Sequence, residues 1–384
     1  MISPGLTALF AATAGIAVAN IYYAQPMLGL IAADFRISGA TAVECVTAAQ
    51  LGYAAGIVLL VPLGDRVDRR RLMLVQCGLL VAALLAAALS PSLPVLLGSS
   101  ALAGVASTVA QQAVPFAAEL AGERERGHVV GRVMSGLLAG ILLARTVSGV
   151  VGQHLGWRPM FALGAAIALA LLVWLWRSVP RSRPTGRGGY RGYGALLFSL
   201  LELWVRHRVL RRAAVVQGCL FAGFSAFWAT LALRLAQPPF HLGAEATGLF
   251  GLVGLAGVLV APVAGRTADR FGPWPVGLAG LALVLPGWAA LAAMPGLAGI
   301  ALSVVLLDAG IQATLIANQA AVFALEPAAR SRINTVFVTG IFAGGALGSA
   351  GGSLAWGMLG WLGVILFGAA STGLALVAHV LGRQ

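Results

Sequence analysis

Apolar runs of membrane-spanning length recur along this chain from end to end, and nothing else in the sequence constrains its fold as strongly. A helix needs about 20 mostly apolar residues to cross the hydrocarbon core of a bilayer. Charge and turn signals divide the chain into twelve such runs, near 6–31, 41–63, 72–90, 94–120, 129–153, 158–177, 212–235, 246–265, 274–294, 297–325, 332–355 and 358–381. Only 10% of the residues are charged, against about 25% in a soluble protein. A water-soluble domain could not cover itself with so few charges. The expected fold class is therefore all-α integral membrane, with twelve transmembrane helices.

The net charge of +13 would suggest nucleic acid if the chain were soluble, but the placement of the charge excludes that reading. All 25 basic residues are arginine, and 21 of them fall in alternate loops: Arg66 to Arg71, Arg124 to Arg132, Arg177 to Arg212, Arg266 and Arg270, Arg330 and Arg332, and Arg383. Arg36, Arg158 and Arg234 lie on the other side, and Arg145 is left inside a helix. Such a bias sets orientation in a membrane and marks the cytoplasmic face. Both chain ends are then expected inside, in an inner (cytoplasmic) membrane. Residues 6–19 imitate a signal peptide but lack a preceding basic residue, so they read as the first span. Cys45, Cys77 and Cys219 sit in separate apolar runs, and His128, His154, His207, His241 and His379 are scattered. Neither set has metal-ligand spacing, and no cofactor or metal is expected.

The second half repeats the first. "PLGDRVDRR" follows span 2 and "GRTADRFG" follows span 8, so that Asp65 matches Asp269 and Arg66 matches Arg270. "SGLLAG" at 135–140 matches "TGIFAG" at 339–344, and "LGW" at 155–157 matches "LGW" at 359–361. Glu119 aligns with Glu326 and Arg126 with Arg332 at slightly larger offsets. The expected organisation is an N-terminal six-helix bundle over 1–177, a linker over 178–211 and a C-terminal bundle over 212–384. Within the linker, Ala195–Val205 reads either as a helix lying on the inner membrane surface or as an early start to span 7.

The loop after span 2 resembles the signature of the major facilitator superfamily, a transporter family built from two such halves. "NIYYAQP" in span 1 and "GILLARTVSG" in span 5 look like a bacterial branch near the drug and metabolite exporters. The sequence departs from the loop signature at Val61 and Asp68, where the family has glycine, and from those exporters at Ser100, Asn20, and Arg145 with Thr146. The resemblance implies alternating access, with substrate held at the midplane between the halves. It also implies that Asp65 caps span 11 and Asp269 caps span 5 at an inner gate. Arg66, Arg70, Arg126, Arg270 and Arg332 would then pair with Glu119, Glu326 and their neighbours. The alternative is that these loop charges are solvated and serve topology alone.

Two charges at membrane depth need a separate reason, since each costs at least about 2.5 kcal/mol there. Arg145 in span 5 and Asp308 in span 10 lie at depths that differ by only about 5 Å at 1.5 Å per residue. The resemblance implies that spans 5 and 10, from opposite halves, can approach each other, so an Arg145–Asp308 ion pair across the halves is expected, either as a static clamp or as a proton-sensitive coupling element. The resemblance makes spans 1, 4, 7 and 10 line the cavity. Their polar and aromatic residues are the binding candidates: Asn20, Tyr22, Tyr23 and Gln25; Gln111 and Gln112; Phe224, Phe227 and Trp228; Asp308, Gln312, Asn318 and Gln319. Amides in lipid need partners, so each of these either faces a cavity or ties helices together. The mix suits a small amphipathic organic solute.

The expected function is secondary active transport of such a solute, with efflux coupled to protons ahead of uptake of a small organic nutrient or a non-transporting sensor. The expected partners are that solute, protons and the lipid bilayer, with no nucleic acid, and the expected state is a monomer. No nucleophile with a paired base is visible, so an enzyme is not expected.

Overall fold

A computed structural model describes residues 2–122, 125–182, 192–326 and 329–382, and only the backbone of Asp65, Ala256 and Val258. Among the described residues the regular structure is helical, with no strand. Ten stretches are long and apolar enough to cross a membrane: Pro4–Phe35, Gly39–Gly64, Arg69–Ala88, Leu93–Leu120, Arg126–Leu155, Trp157–Ser178, Arg208–Ala236, Pro273–Ala293, Leu297–Phe323 and Arg330–Leu381. The last is two spans joined at Gly360, where φ of 59° and ψ of −141° break the helix. One more span is assembled from Ala244–Val253 and Leu255–Phe271. Among the described residues twelve crossings result, each within a few residues of its sequence position.

The structure explains why the repeat keeps particular glycines. Gly156 ends span 5 and opens span 6 with φ of 93°, and Gly360 does the same between spans 11 and 12. Each is the glycine of an "LGW" triplet, at a turn whose positive φ favours a residue without Cβ. The matching "SGLLAG" and "TGIFAG" segments hold two helix seams together. A Cβ on Gly140 would press on the Gly15 carbonyl and lie 2.5 Å from its Cα. In the other half a Cβ on Gly344 would lie 2.6 Å from the Cα of Gly218. Spans 1 and 5, and likewise spans 7 and 11, therefore run parallel with backbones in contact, as small residues permit in lipid.

The halves meet along spans 2 and 11, 5 and 8, and 1 and 7. Thr47 and Ser349 share a hydroxyl hydrogen bond of 2.8 Å, and Ser353 Oγ donates to the Ala40 carbonyl at 2.7 Å. The Gln50 amide donates to Ser225 at 2.7 Å and accepts from Ser349 at 3.0 Å. On the other seam Thr146 donates to the Gly248 carbonyl at 3.1 Å, and Gln153 accepts from the Ala244 N–H at 2.9 Å. All of these lie between mid-span and the face away from the arginine-rich loops.

The linker forms a separate helix, Tyr193–Arg206, ended at His207, whose extended backbone separates it from span 7. In the structure this segment is not continuous with the span 7 helix. Leu196, Leu200 and Leu203 are buried against the bundle, while Phe198, Leu201 and Val205 are exposed. The Tyr193 hydroxyl donates to the Leu59 carbonyl, which anchors this helix under span 2.

Candidate functional site

Two broken spans surround the buried charges. Span 1 consists of Pro4–Ala19 and Ala24–Phe35, with Asn20 to Tyr23 between them. Span 8 is interrupted at Gly254. Irregular backbone at membrane depth is tolerated where protein or a cavity surrounds it. Here it surrounds Arg145 of span 5 and Asp308 of span 10.

Arg145 is only 3% exposed. Its Nε donates to Gln25 Oε1 at 2.8 Å. Its guanidinium carbon stands 4.1 Å from the ring centroid of Trp228, 4.6 Å from that of Tyr22 and 5.9 Å from that of Phe224. A cation on aromatic faces gains about 2 kcal/mol or more when desolvated, which offsets part of the cost of burial. Arg145 Nη2 has no hydrogen-bond partner, and neither does Asp308 Oδ2. Span 8 passes both groups with glycines. A Cβ on Gly251 would lie 3.1 Å from Arg145 Cβ, and one on Gly254 would lie 3.3 Å from Asp308 Oδ2. At Gly257 the same test gives 2.9 Å to Asp308 Cβ, so spans 8 and 10 touch there.

The expected Arg145–Asp308 ion pair is not formed. No guanidinium–carboxylate contact of 4.0 Å or less joins them, although each lies within the other's electrostatic field. The reason is local: the guanidinium is held on the span 1 side by Gln25 and spread over the Tyr22 and Trp228 rings. Asp308 stays beside the span 8 backbone.

The remaining candidates divide. Tyr22, Gln25, Phe224, Trp228 and Asp308 gather around Arg145. Asn20 bonds back to the Ile16 carbonyl at 2.7 Å. Asn20 and Tyr23 both face Gly164 of span 6, inside the N-terminal half. Phe227 is fully buried among Trp228, Trp288 and Trp361 within the C-terminal half. Gln111 donates to the Tyr53 hydroxyl at 3.0 Å and Gln112 to the Leu60 carbonyl at 2.9 Å, tying span 4 to span 2. Asn318 donates to Gln217 at 3.4 Å across spans 10 and 7, and Gln312 and Gln319 are half-buried on span 10. Sequence reasoning missed Gln50, Tyr53, Phe221 and Phe342. Tyr53 and Phe342 meet across the seam at 4.3 Å between centroids, and Phe221 links Phe342 to Phe224 at 5.5 and 5.6 Å. Nothing in their spacing marks them, because they meet only when the halves do.

At the arginine-rich face the expected pairings are rearranged. Glu119 pairs with Arg69 at 3.4 Å, not with Arg66 or Arg70. Arg70 instead donates to the Trp176 carbonyl and Arg66 is exposed. Arg69 takes the carboxylate because span 3 begins at it and its Nε already holds the Gly64 carbonyl at 3.1 Å. Glu326 stands 3.4 Å from His207 of the linker. Arg126 and Asp269 are exposed, Arg270 lies over the Phe271 ring at 5.0 Å, and Arg332 is half-buried at the start of span 11. The Asp65 side chain lies outside the described residues. Asp68, the departure from the family glycine, instead caps span 3 through the Arg70 N–H at 3.0 Å and accepts from the Ser182 N–H and hydroxyl at 3.0 and 3.1 Å. Burial opposes its charged form, but those bonds outweigh it and hold the carboxyl below its usual range.

The sequence pattern, the duplicated halves and the midplane site lead to one family, and the model of the Major Facilitator Superfamily matches residues 8–324. The chain belongs to that superfamily. It is 41% identical over 370 residues to the "Uncharacterized transporter YgaY" of Escherichia coli O157:H7, covering 96% of this chain and 93% of that one. It is 38% identical over 363 residues to the "Probable transporter SCO4007" of Streptomyces coelicolor, covering 93% of this chain and 82% of that one. Its fold also matches the crystal structure of the nucleoside transporter NupG, with a TM-score of 0.80 at 14% identity over 99% of this chain and 100% of that one. That likeness concerns the fold alone. This superfamily member is thus a membrane transporter by family, and its substrate has to be argued from the site.

Proposed function

We infer that this chain moves a small amphipathic organic solute by alternating access, outward from the cytoplasm and coupled to protons. The observation that carries this reading is the buried Arg145, held by Gln25, Tyr22 and Trp228 between the halves, with Asp308 opposite and unpaired. A fixed positive charge and a carboxylate that can take a proton, both at the moving interface, are what coupling requires. Among the described residues, the charged group that bears on Asp308 is Arg145 of span 5. Protonating Asp308 removes its attraction for Arg145, so the two protonation states favour different arrangements of the halves. Residues 1–177 and 212–384 are the rocking bodies and 178–211 the linker between them. The Asp68–Ser182 contact, Arg69–Glu119 and His207–Glu326 brace the inner face, with Asp65 and Asp269 as gate caps. Both ends face the cytoplasm, in the inner membrane, and the monomer suffices because the site forms within one chain. The outward direction rests on the likeness of spans 1 and 5 to exporters, and uptake is its rival.

The test uses everted proteoliposomes with an imposed pH gradient and a mixture of amphipathic organic compounds, read by mass spectrometry. Gradient-driven accumulation of at least one compound is expected with the native chain, and its loss with Asp308→Asn. Accumulation that persists unchanged in Asp308→Asn removes Asp308 as the coupling group, and movement only with the opposite gradient selects uptake.

A further inference from the structure

The site holds two unmatched polar atoms of opposite kind, and that combination narrows the ligand. Arg145 Nη2 is a donor without an acceptor and Asp308 Oδ2 is an acceptor without a donor, both shut off from solvent. They do not satisfy each other, although each acts on the other electrostatically. Leaving both open in a low-dielectric interior is costly. Span 8 packs closely beside both groups through glycines: a Cβ on Gly251 would press on the aliphatic stem of Arg145, and one on Gly254 would lie 3.3 Å from Asp308 Oδ2.

Charge balance decides what can satisfy both atoms. In the state with Asp308 ionised, the one in which its Oδ2 is an acceptor, the pair contributes one positive and one negative charge. A lone anion on Arg145 leaves the site net negative beside Asp308, and a lone cation on Asp308 leaves it net positive beside Arg145. A ligand that carries both charges satisfies both orphans and keeps the buried site neutral. The rings of Tyr22, Phe224 and Trp228 lie around the guanidinium, with Phe221 behind Phe224, and they offer an apolar wall for the rest of the molecule.

We propose that the solute is a zwitterion with an apolar body, its carboxylate taken by Arg145 Nη2 and its ammonium by Asp308 Oδ2. This rests on the transport reading above and names its substrate class. Binding to the purified full chain is measured by titration calorimetry with two scaffolds, each in three charge forms. The probes are phenylalanine, N-acetylphenylalanine and 2-phenylethylamine, with the corresponding tryptophan, N-acetyltryptophan and tryptamine. The zwitterion of at least one scaffold is expected to bind at least tenfold more tightly than its anionic and cationic forms. Asp308→Asn should weaken the zwitterion at least tenfold while raising the relative affinity of the N-acetyl form. Arg145→Gln should weaken it equally while raising that of the amine. These opposite shifts in preference separate recognition from a merely structural role, and Asp308→Asn carries the test alone if Arg145→Gln fails to fold. An amine or N-acetyl form that equals its zwitterion, or no binding by any of the six, overturns the proposal. Gradient-driven transport of a compound with a single charge would overturn it while leaving the transport reading intact.

Discussion

Alanine at Gly140 or Gly344 should loosen one half of the transporter by a calculable amount. The new methyl carbon would stand 2.5 Å from the Gly15 Cα in the first case and 2.6 Å from the Gly218 Cα in the second. Ordinary contact begins about 1 Å further out, and the opposing atoms are backbone, so a rotamer change cannot make room. The helices must separate by about 1 Å along the seam. Overpacking of this kind costs about 1–3 kcal/mol, and the separation also forfeits dispersion contacts at neighbouring positions. Replacing a helical glycine returns about 0.5–1 kcal/mol. The net expectation is a loss of about 1–2 kcal/mol for either variant, and the same loss in both because the seams are equivalent. Gly373→Ala is the control, since a Cβ there meets nothing within 4 Å and should leave stability unchanged or slightly raised. Reversible unfolding in mixed micelles measures all three. If Gly140→Ala and Gly344→Ala are as stable as Gly373→Ala, the backbone-contact reasoning is refuted.

Other perturbations address the charges. Arg145→Lys keeps the cation but loses the planar fork that reaches Gln25 while lying on two rings, and transport should fall at least tenfold; undiminished transport would mean that charge alone matters. Asp68 has a carboxyl held below its usual range, so its stabilising contribution is complete above about pH 4 and is lost as pH falls through the depressed folded value. Asp68→Asn should therefore remove at most about 1 kcal/mol at neutral pH and flatten the acid limb of the stability profile; an unchanged limb would discount the Ser182 contact. Single cysteines at Ser3 and Gly382, in a background lacking Cys45, Cys77 and Cys219, should be labelled from the cytoplasmic side only; labelling from opposite sides would overturn the topology.

Much of this architecture was legible beforehand because bilayer thickness leaves so little choice. Twenty apolar residues between arginine-rich loops must form a spanning helix, and a duplicated set of motifs must form two like halves. The glycines of "LGW" and of "SGLLAG" were visible as a repeat before their physical task was known. The site was less legible. Arg145 and Asp308 stood out because charge at membrane depth is costly, and Tyr22, Gln25, Phe224 and Trp228 were among a larger set of candidates. Asn20, Tyr23, Phe227 and Gln112 belonged to the same set and turned inward within their own halves. Spacing cannot separate these groups, because the helix breaks at Asn20–Tyr23 and Thr108 interrupt the regular period and, within unbroken span 7, the partners of each face lie in other spans.

The sequence by itself therefore determined the solvent, the number of the spans and the duplication, which follow from hydrophobicity and repeated motifs read along one dimension. Tertiary structure alone decided which side chains face one another across the seam. It placed Arg145 on the Tyr22 and Trp228 rings instead of on Asp308, and it drew Tyr53 to Phe342 and Glu119 to Arg69. Those contacts depend on helix rotation, on the breaks at Asn20–Tyr23 and Gly254, and on glycines that let backbones touch. Rotation and close approach are set by packing between helices remote in the chain, so no local pattern encodes them.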